Sequence, residues 1–276
     1  VSRFVYSQAQ VRAALEALGV RAGDTLLLHT SLGRLGFSEE GQDADAACRT
    51  VHAALRDAVG PRGTLLTPSY TYSAGKGELF DPRETPSTVG PFSEFLRAQP
   101  GALRSREPML AVSGEGPAAA EFFHALPPTC YGKGCVYDRL CDAGATVMTI
   151  GLDLHWATFR HHIEEIAGVP FRRVKHFQAR LREPDGREVT ETWGYFAAPY
   201  IPNCGPDGNR LAQAMRDAGH LRAAPVGIGQ LMAIGARTYR DASLPLLAAD
   251  PWFTAKGPPC DLSDIAERMN KPGAGQ

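Results

Sequence analysis

Three stretches of this chain share one pattern, an apolar run that stops abruptly at small hydroxyl, glycine or histidine residues. They are LLLHTSLGRLG (26–36), LLTPSYTYS (65–73) and VMTIGLDLHWATFRHHIEE (147–165). Runs this short and this rich in Leu, Val and Ile predict buried strands. Helical periodicity fills the intervals. SQAQVRAALEALGV (7–20) opens on a Ser that can cap it, and DADAACRTVHAALRDAVG (43–60) starts on Asp and ends on Gly. Shorter helical segments fall near 88–98, 116–125, 135–143 and 159–167, and MLAVSG (109–114) reads as a fourth strand. Alternation of this kind predicts an α/β fold of layered αβα form around a mixed, mostly parallel sheet. One segment departs from it. VKHFQARLREPDGREVTETWGYF (174–196) reads as an antiparallel hairpin around a Pro-Asp-Gly turn.

In open α/β sheets, ligands bind outside the carboxyl ends of the strands. If the three patterned strands are parallel, their polar ends converge on one crevice. That convergence is the first pointer to function.

The 276 residues are read as a single domain over 1–265, followed by a flexible tail over 266–276. At 43% hydrophobic and 21% charged, the chain can bury a core without disulfides or metal. A formal net charge of −1 gives no global field that would draw nucleic acid or an anionic membrane. The six cysteines are scattered with no CxxC, which fits a reducing compartment better than a disulfide framework. VSRFVYSQAQ lacks the basic and apolar regions of a signal peptide, and no apolar run approaches a membrane span. A cytoplasmic protein is expected.

HTSLGRLGFSEEGQDAD (29–45) joins hydroxyl residues and glycines to a helix start, where backbone N–H groups can hold phosphate oxygens; an ordinary strand–helix connection reads the same way. FDPRETPSTVGPFSEFLRAQPGALRSREP (80–108) is long, proline-rich and poor in apolar residues, which marks a functional loop. FRHHIEE places His161 at i, i+3 from Glu164 and at i, i+4 from Glu165, so either carboxylate shares its helix face. Three readings stay open for this cluster: a salt-linked surface histidine, a metal site, or a general base. His155, His161 and His162 cannot all face one point on a regular helix, so no metal is expected.

In order and spacing, these motifs resemble the aminoglycoside 3-N-acetyltransferase family, also called the antibiotic N-acetyltransferases, from about residue 8 to about residue 245. The family shows H-S-S-L-x-x-L-G, D-P-x-x-T-P-S-x-M-G, R-S-x-H-P and T-x-x-H-x-x-E. Here His29, Ser31, Leu32, Leu35 and Gly36 match the first, with Thr30 for a serine. Asp81, Pro82, Thr85, Pro86, Ser87 and Gly90 match the second, with Val89 for Met. Arg104, Ser105 and Pro108 match the third, and Thr158, His161 and Glu164 the fourth. Glu107 stands at the usual His, and Ala157 at the usual Asn before the Thr.

The resemblance implies a fold unlike that of the GNAT acetyltransferases. It implies acetyl-CoA as co-substrate, held by Thr30, Ser31, Leu32, Arg34 and Leu35. His161 is implied as catalytic base; Glu164 or another carboxylate is expected to orient it, and the developing oxyanion is expected to meet backbone N–H groups near Thr30 and Ser31, or their hydroxyls. Tyr70, Asp81, Glu107 and Asp153 are expected on the acceptor side. The expected partner is a small-molecule amine of an aminoglycoside or amino sugar, with no nucleic acid and no membrane; a homodimer is left open. An acidic Glu107 would favour a cationic acceptor. The rival classes are a metal-dependent hydrolase built on the His/Glu cluster and a non-catalytic binding member of the fold.

Overall fold

The computed structural model describes residues 5–268. The chain forms β1 (Val5–Tyr6), α1 (Gln8–Ala17), β2 (Thr25–Thr30), β3 (Phe37–Ser38), α2 (Ala44–Val59), β4 (Thr64–Pro68) and β5 (Leu79–Phe80). It continues through α3 (Pro91–Arg97), β6 (Leu103–Arg104), β7 (Val112–Glu115), α4 (Ala119–Phe123), α5 (Val136–Asp142), β8 (Thr146–Ile150) and α6 (Arg160–Ala167). A long hairpin, β9 (Arg173–Arg182) and β10 (Glu188–Ala197), precedes α7 (Asn209–Asp217), β11 (Arg222–Val226), β12 (Gly229–Gly235) and α8 (Ala236–Ala249).

The main sheet has seven strands in the order β11-β12-β8-β2-β4-β7-β6. The three patterned strands are its centre, and β2 pairs in parallel with both β4 and β8. The flanking pairs are antiparallel. Only β7 and β12 run against the rest, so most strands share one direction although most neighbouring pairs do not. Side-chain alternation along β2 makes the layers. Leu26 and Leu28 pack with α1 and α2 residues such as Leu15, Val51 and Leu55. Leu27 points to the other face, into a core with Leu140, Ile163 and Tyr239 from α5, α6 and α8. The expected hairpin forms, but outside the main sheet. It pairs with β5 as a separate three-stranded sheet over a small core of Phe80, Leu181 and Trp193.

The two helix starts read from the sequence are real caps. Ser7 Oγ accepts the Gln10 N–H (3.1 Å) while the Gln10 side chain accepts the Ser7 N–H (2.9 Å). Asp43 accepts the Ala46 N–H (2.7 Å) at the start of α2. Each such cap is worth about 1 kcal/mol. One turn of helix spans Ile265–Arg268, at the start of the expected tail; the remainder, 269–276, lies outside the described residues. Among the described residues, no helix is long and apolar enough to cross a membrane.

Candidate active site

The ends of β2, β4 and β8 meet, as parallel pairing requires. His29, next to last in β2, accepts the Thr158 N–H at Nε2 (3.2 Å), and Thr158 Oγ1 lies 2.9 Å from the same nitrogen. Tyr70, two residues beyond β4, places its hydroxyl 2.6 Å from Thr158 Oγ1 and 2.8 Å from the Tyr137 hydroxyl. Because Nε2 accepts, His29 carries its proton on Nδ1, which is buried and without a partner. The hydroxyls then donate in one direction, Tyr137 to Tyr70 to Thr158 to His29. Burial pushes His29 down to about 4, which keeps it neutral. Tyr70 therefore reaches the site through Thr158.

At the second position of α6, His161 Nδ1 donates to Glu164 Oε2 (2.8 Å). The helix selects Glu164 over Glu165 as its partner. Glu165 turns toward Gly132, and burial raises it to about 7. Glu164 is fully buried, with Arg160 Nε 2.9 Å from Oε1 and Arg172 Nε 3.0 Å from Oε2. Burial alone would raise this carboxyl, but His161 and the two guanidiniums hold it at about 2. Burial and the nearby Arg172 push His161 down to about 4, against the pull of Glu164. With two guanidiniums on one carboxylate, the stable arrangement at neutral pH is an ionised Glu164 beside a neutral imidazole. Fixing Nδ1 as donor leaves the lone pair on Nε2, the tautomer a base needs. The His161 side chain keeps 15% exposure. It opens with Thr158, Trp156 and Lys256 onto a cleft of about 420 Å³, and Tyr131 packs edge-on against its ring, centroids 5.4 Å apart.

A second cleft, of about 630 Å³, lies on the other side of the β2 end. Thr30, Ser31, Leu32, Gln42, Ala44 and Gly90 are among its walls. It thus gathers the HTSLG turn, the start of α2 and the residue before α3. Arg34 and Leu35 are not among its lining residues. Leu35 is fully buried and its carbonyl accepts the Ile228 N–H (3.0 Å), while Arg34 points to solvent. Their part is to dock the turn against the β11–β12 connection. The Ser31 N–H donates to the Ile150 carbonyl (2.8 Å) and is not free for an oxyanion. Gly151 secures the approach: at φ +70, a Cβ added there would stand 2.3 Å from the Ser31 carbonyl oxygen. Gly151→Ala is expected to cost about 1–3 kcal/mol, measured by denaturant unfolding; an unchanged midpoint would show that the turn gives way.

The other expected acceptor residues fall elsewhere. Glu107 is buried, 4% exposed. It accepts the Met109 N–H (3.0 Å), the Leu110 N–H and the Cys130 thiol (3.0 Å), and burial raises it to about 7. It lines neither of the two clefts, and its oxygens serve the turn that follows it. Asp81 accepts the Arg83 N–H (2.8 Å) and pairs with Arg182 (3.4 Å), under the hairpin. Asp153 caps the 154–156 turn and pairs with His155 (3.1 Å) and with Arg216 of α7. It braces the wall of the smaller cleft. His162 is fully buried and donates to the Tyr131 carbonyl (2.6 Å). Among the described residues, no three His, Cys, Asp or Glu side chains gather as a metal site, and all six cysteines are free thiols. Arg160, Arg172 and Tyr137 carry no motif and were not expected here; the FRHHIEE spacing of Arg160 to Glu164 (i, i+4) was the one available signal.

A layered α/β scaffold with a carboxylate-anchored histidine in one cleft and a second cleft at the end of β2 suits group transfer between two bound molecules. A profile of the aminoglycoside 3-N-acetyltransferase family matches residues 27–247, most of the chain. The chain is 29% identical over 256 residues to aminoglycoside N(3)-acetyltransferase III of Salmonella sp, covering 82% of this chain and 86% of that one. It is 36% identical over 184 residues to aminoglycoside N(3)-acetyltransferase VIII of Streptomyces fradiae, covering 59% and 62%. Among solved structures, AAC-IIIb in its binary complex with CoASH superposes with a TM-score of 0.77 at 26% identity, over 92% of this chain and 100% of that one. AAC-VIa bound to sisomicin gives 0.76 at 26%, over 88% and 98%. The chain belongs to the aminoglycoside 3-N-acetyltransferase family, and with it to the acyl-transferring enzymes built on this fold rather than on that of the GNAT acetyltransferases.

Proposed function

We propose that this enzyme transfers an acetyl group from acetyl-CoA directly to an amine of an aminoglycoside or amino-sugar acceptor, with His161 as general base. The observation that carries the reading is the His161–Glu164 pair at 2.8 Å, which leaves Nε2 as the proton acceptor at the edge of a cleft. The acceptor nitrogen attacks the thioester carbonyl. Nε2 takes the proton that nitrogen sheds, the C–S bond breaks, and the thiolate leaves as CoA. No covalent acyl-enzyme is needed.

Acetyl-CoA fits the larger cleft, with Thr30, Ser31 and Leu32 along its reactive end and the start of α2 toward its phosphates. A CoASH complex of a relative with the same fold supports CoA as the carrier of the acyl group, and the sisomicin complex of another supports an amine acceptor. The end of β2 links the two clefts, since Thr30 walls one while its neighbour His29 bonds Thr158, a wall of the other.

The test is release of free thiol from acetyl-CoA against a panel of aminoglycosides and nucleotide-linked amino sugars, run beside thermal melts. Acetyl-CoA at 100 times its Kd should stabilise the protein by about 2.7 kcal/mol. No melt shift at millimolar acetyl-CoA, or no thiol release with any amine, would overturn the reading.

A further inference from the structure

We propose that Arg160 and Arg172 are positioning residues for His161: by flanking the two oxygens of the Glu164 carboxylate, Arg160 through a hydrogen bond and Arg172 through its charge, they fix the imidazole and keep it in the neutral form that accepts a proton. The inference rests on His161 as the base.

A lone buried carboxylate beside a histidine would favour imidazolium, because the ion pair stabilises the charged form. A base already carrying a proton at rest cannot take one from the acceptor. Burial of the ring opposes that bias first, and the two guanidiniums, Arg172 more than Arg160, add to the opposition. Arg160 Nε takes Oε1 at 2.9 Å, and Arg172 Nε stands 3.0 Å from Oε2, the oxygen that also accepts from His161. Both arginines are almost completely buried, with side chains 6% and 4% exposed, so their charges are little screened. The cluster of Glu164 and two arginines carries one net positive charge, which repels a second cation on the ring.

Arg160 has a further contact. Its Nη1 donates to the His155 carbonyl (2.8 Å), which ties α6 to the 154–156 turn that walls the cleft. The space beside it is filled, because a Cβ added at Gly208 would stand 2.2 Å from that same Nη1. The other groups facing His161 cannot substitute for the clamp. Tyr131, from the loop before α5, is buried and stays protonated. His155 is paired to Asp153. Asp207 and Lys256, on the far wall, are of opposite sign. Tyr239 of α8 is buried and raised beyond the ordinary phenol range.

The experiment is an NMR titration of the His161 imidazole, with pH profiles of kcat/KM, in the full chain and in Arg160→Met, Arg172→Met and the corresponding Lys variants. In the unaltered enzyme the ring should titrate near 4. In either Met variant the midpoint should rise by roughly one unit or more, the acid limb of kcat/KM should rise with it, and Lys should restore part of the shift. A merely structural role would lower thermal stability and leave both midpoints in place, and that result overturns the proposal. If Arg172→Met does not fold, Arg160→Met and Arg172→Lys carry the same decision. The titration needs no turnover: a shifted ring with an unmoved acid limb would reject His161 as the base while leaving the clamp intact.

Discussion

Replacing His161 with alanine lowers kcat by about 10²- to 10⁴-fold, the range for loss of a positioned general base. The affinity for acetyl-CoA changes little, because the imidazole faces the smaller cleft and not the walls formed by Thr30 to Ala44. The residual rate rises with pH, since more acceptor then arrives as free amine and needs no proton removed. The unaltered enzyme shows no loss of kcat/KM from its own base between pH 6.5 and 5, because burial and Arg172 hold the ring near 4. His162→Ala behaves differently. That ring is fully buried against Phe159 and donates to the Tyr131 carbonyl, so its removal leaves a cavity and an unpaired oxygen, and it lowers stability with little change in kcat. Steady-state kinetics on both variants, at temperatures matched to their melting points, separate the two. Near-normal turnover by His161→Ala would assign the base to another residue.

Glu164→Ala has the largest expected effect on folding, a loss of about 3–5 kcal/mol, because it strands two buried guanidiniums without their anion. Activity falls with it, as the imidazole loses its anchor. Combining Glu164→Leu with Arg160→Met and Arg172→Met should recover most of that stability while remaining nearly inactive, since a well-packed apolar cluster can replace buried ions. Urea unfolding reads the first effect and thiol release the second. The pH dependence follows from the same groups. Glu164, held near 2, contributes stability that is complete above about 4.5 and lost as pH falls toward 2. His29 and His161, held near 4, contribute stability that is complete above about 6.5 and lost as pH falls to 4. Glu107 and Glu165, raised to about 7, act oppositely and lose stability as pH rises from 4.5 through 7. A Glu164→Ala protein that unfolds within about 1 kcal/mol of the unaltered chain would contradict the burial described for this cluster.

The scaffold was legible where local pattern governs it. Short apolar runs marked β2, β4 and β8, the Ser7 and Asp43 caps marked two helix starts, and i, i+3 spacing joined His161 to Glu164. What failed to show was set by contacts distant in sequence. Strand direction in β7 and β12 depends on loop paths that carry no periodic signal. Glu107 looked like a loop charge beside Arg104 and Arg106. Its burial follows from two main-chain donors and a thiol brought in from 130, and only the first two are local. Arg172 reaches Glu164 because the chain turns back after α6 to enter β9, and nothing in FRRVKH distinguishes it from Arg173, whose guanidinium instead caps nearby carbonyls.

The supports of His161 and the exposed rim of its cleft are largely different side chains. Arg160, Arg172 and Glu164 anchor the ring from the interior, whereas Trp156, 56% exposed, Asn209 and Lys256 line the outer wall. Selection acting on the rim can therefore exchange side chains there, and with them the molecules admitted, without disturbing the proton acceptor. Substitutions among the anchors have no such freedom, since each would be felt in folding and in chemistry together. Over a lineage, acceptor choice is expected to drift quickly in these segments while the anchored pair stays fixed.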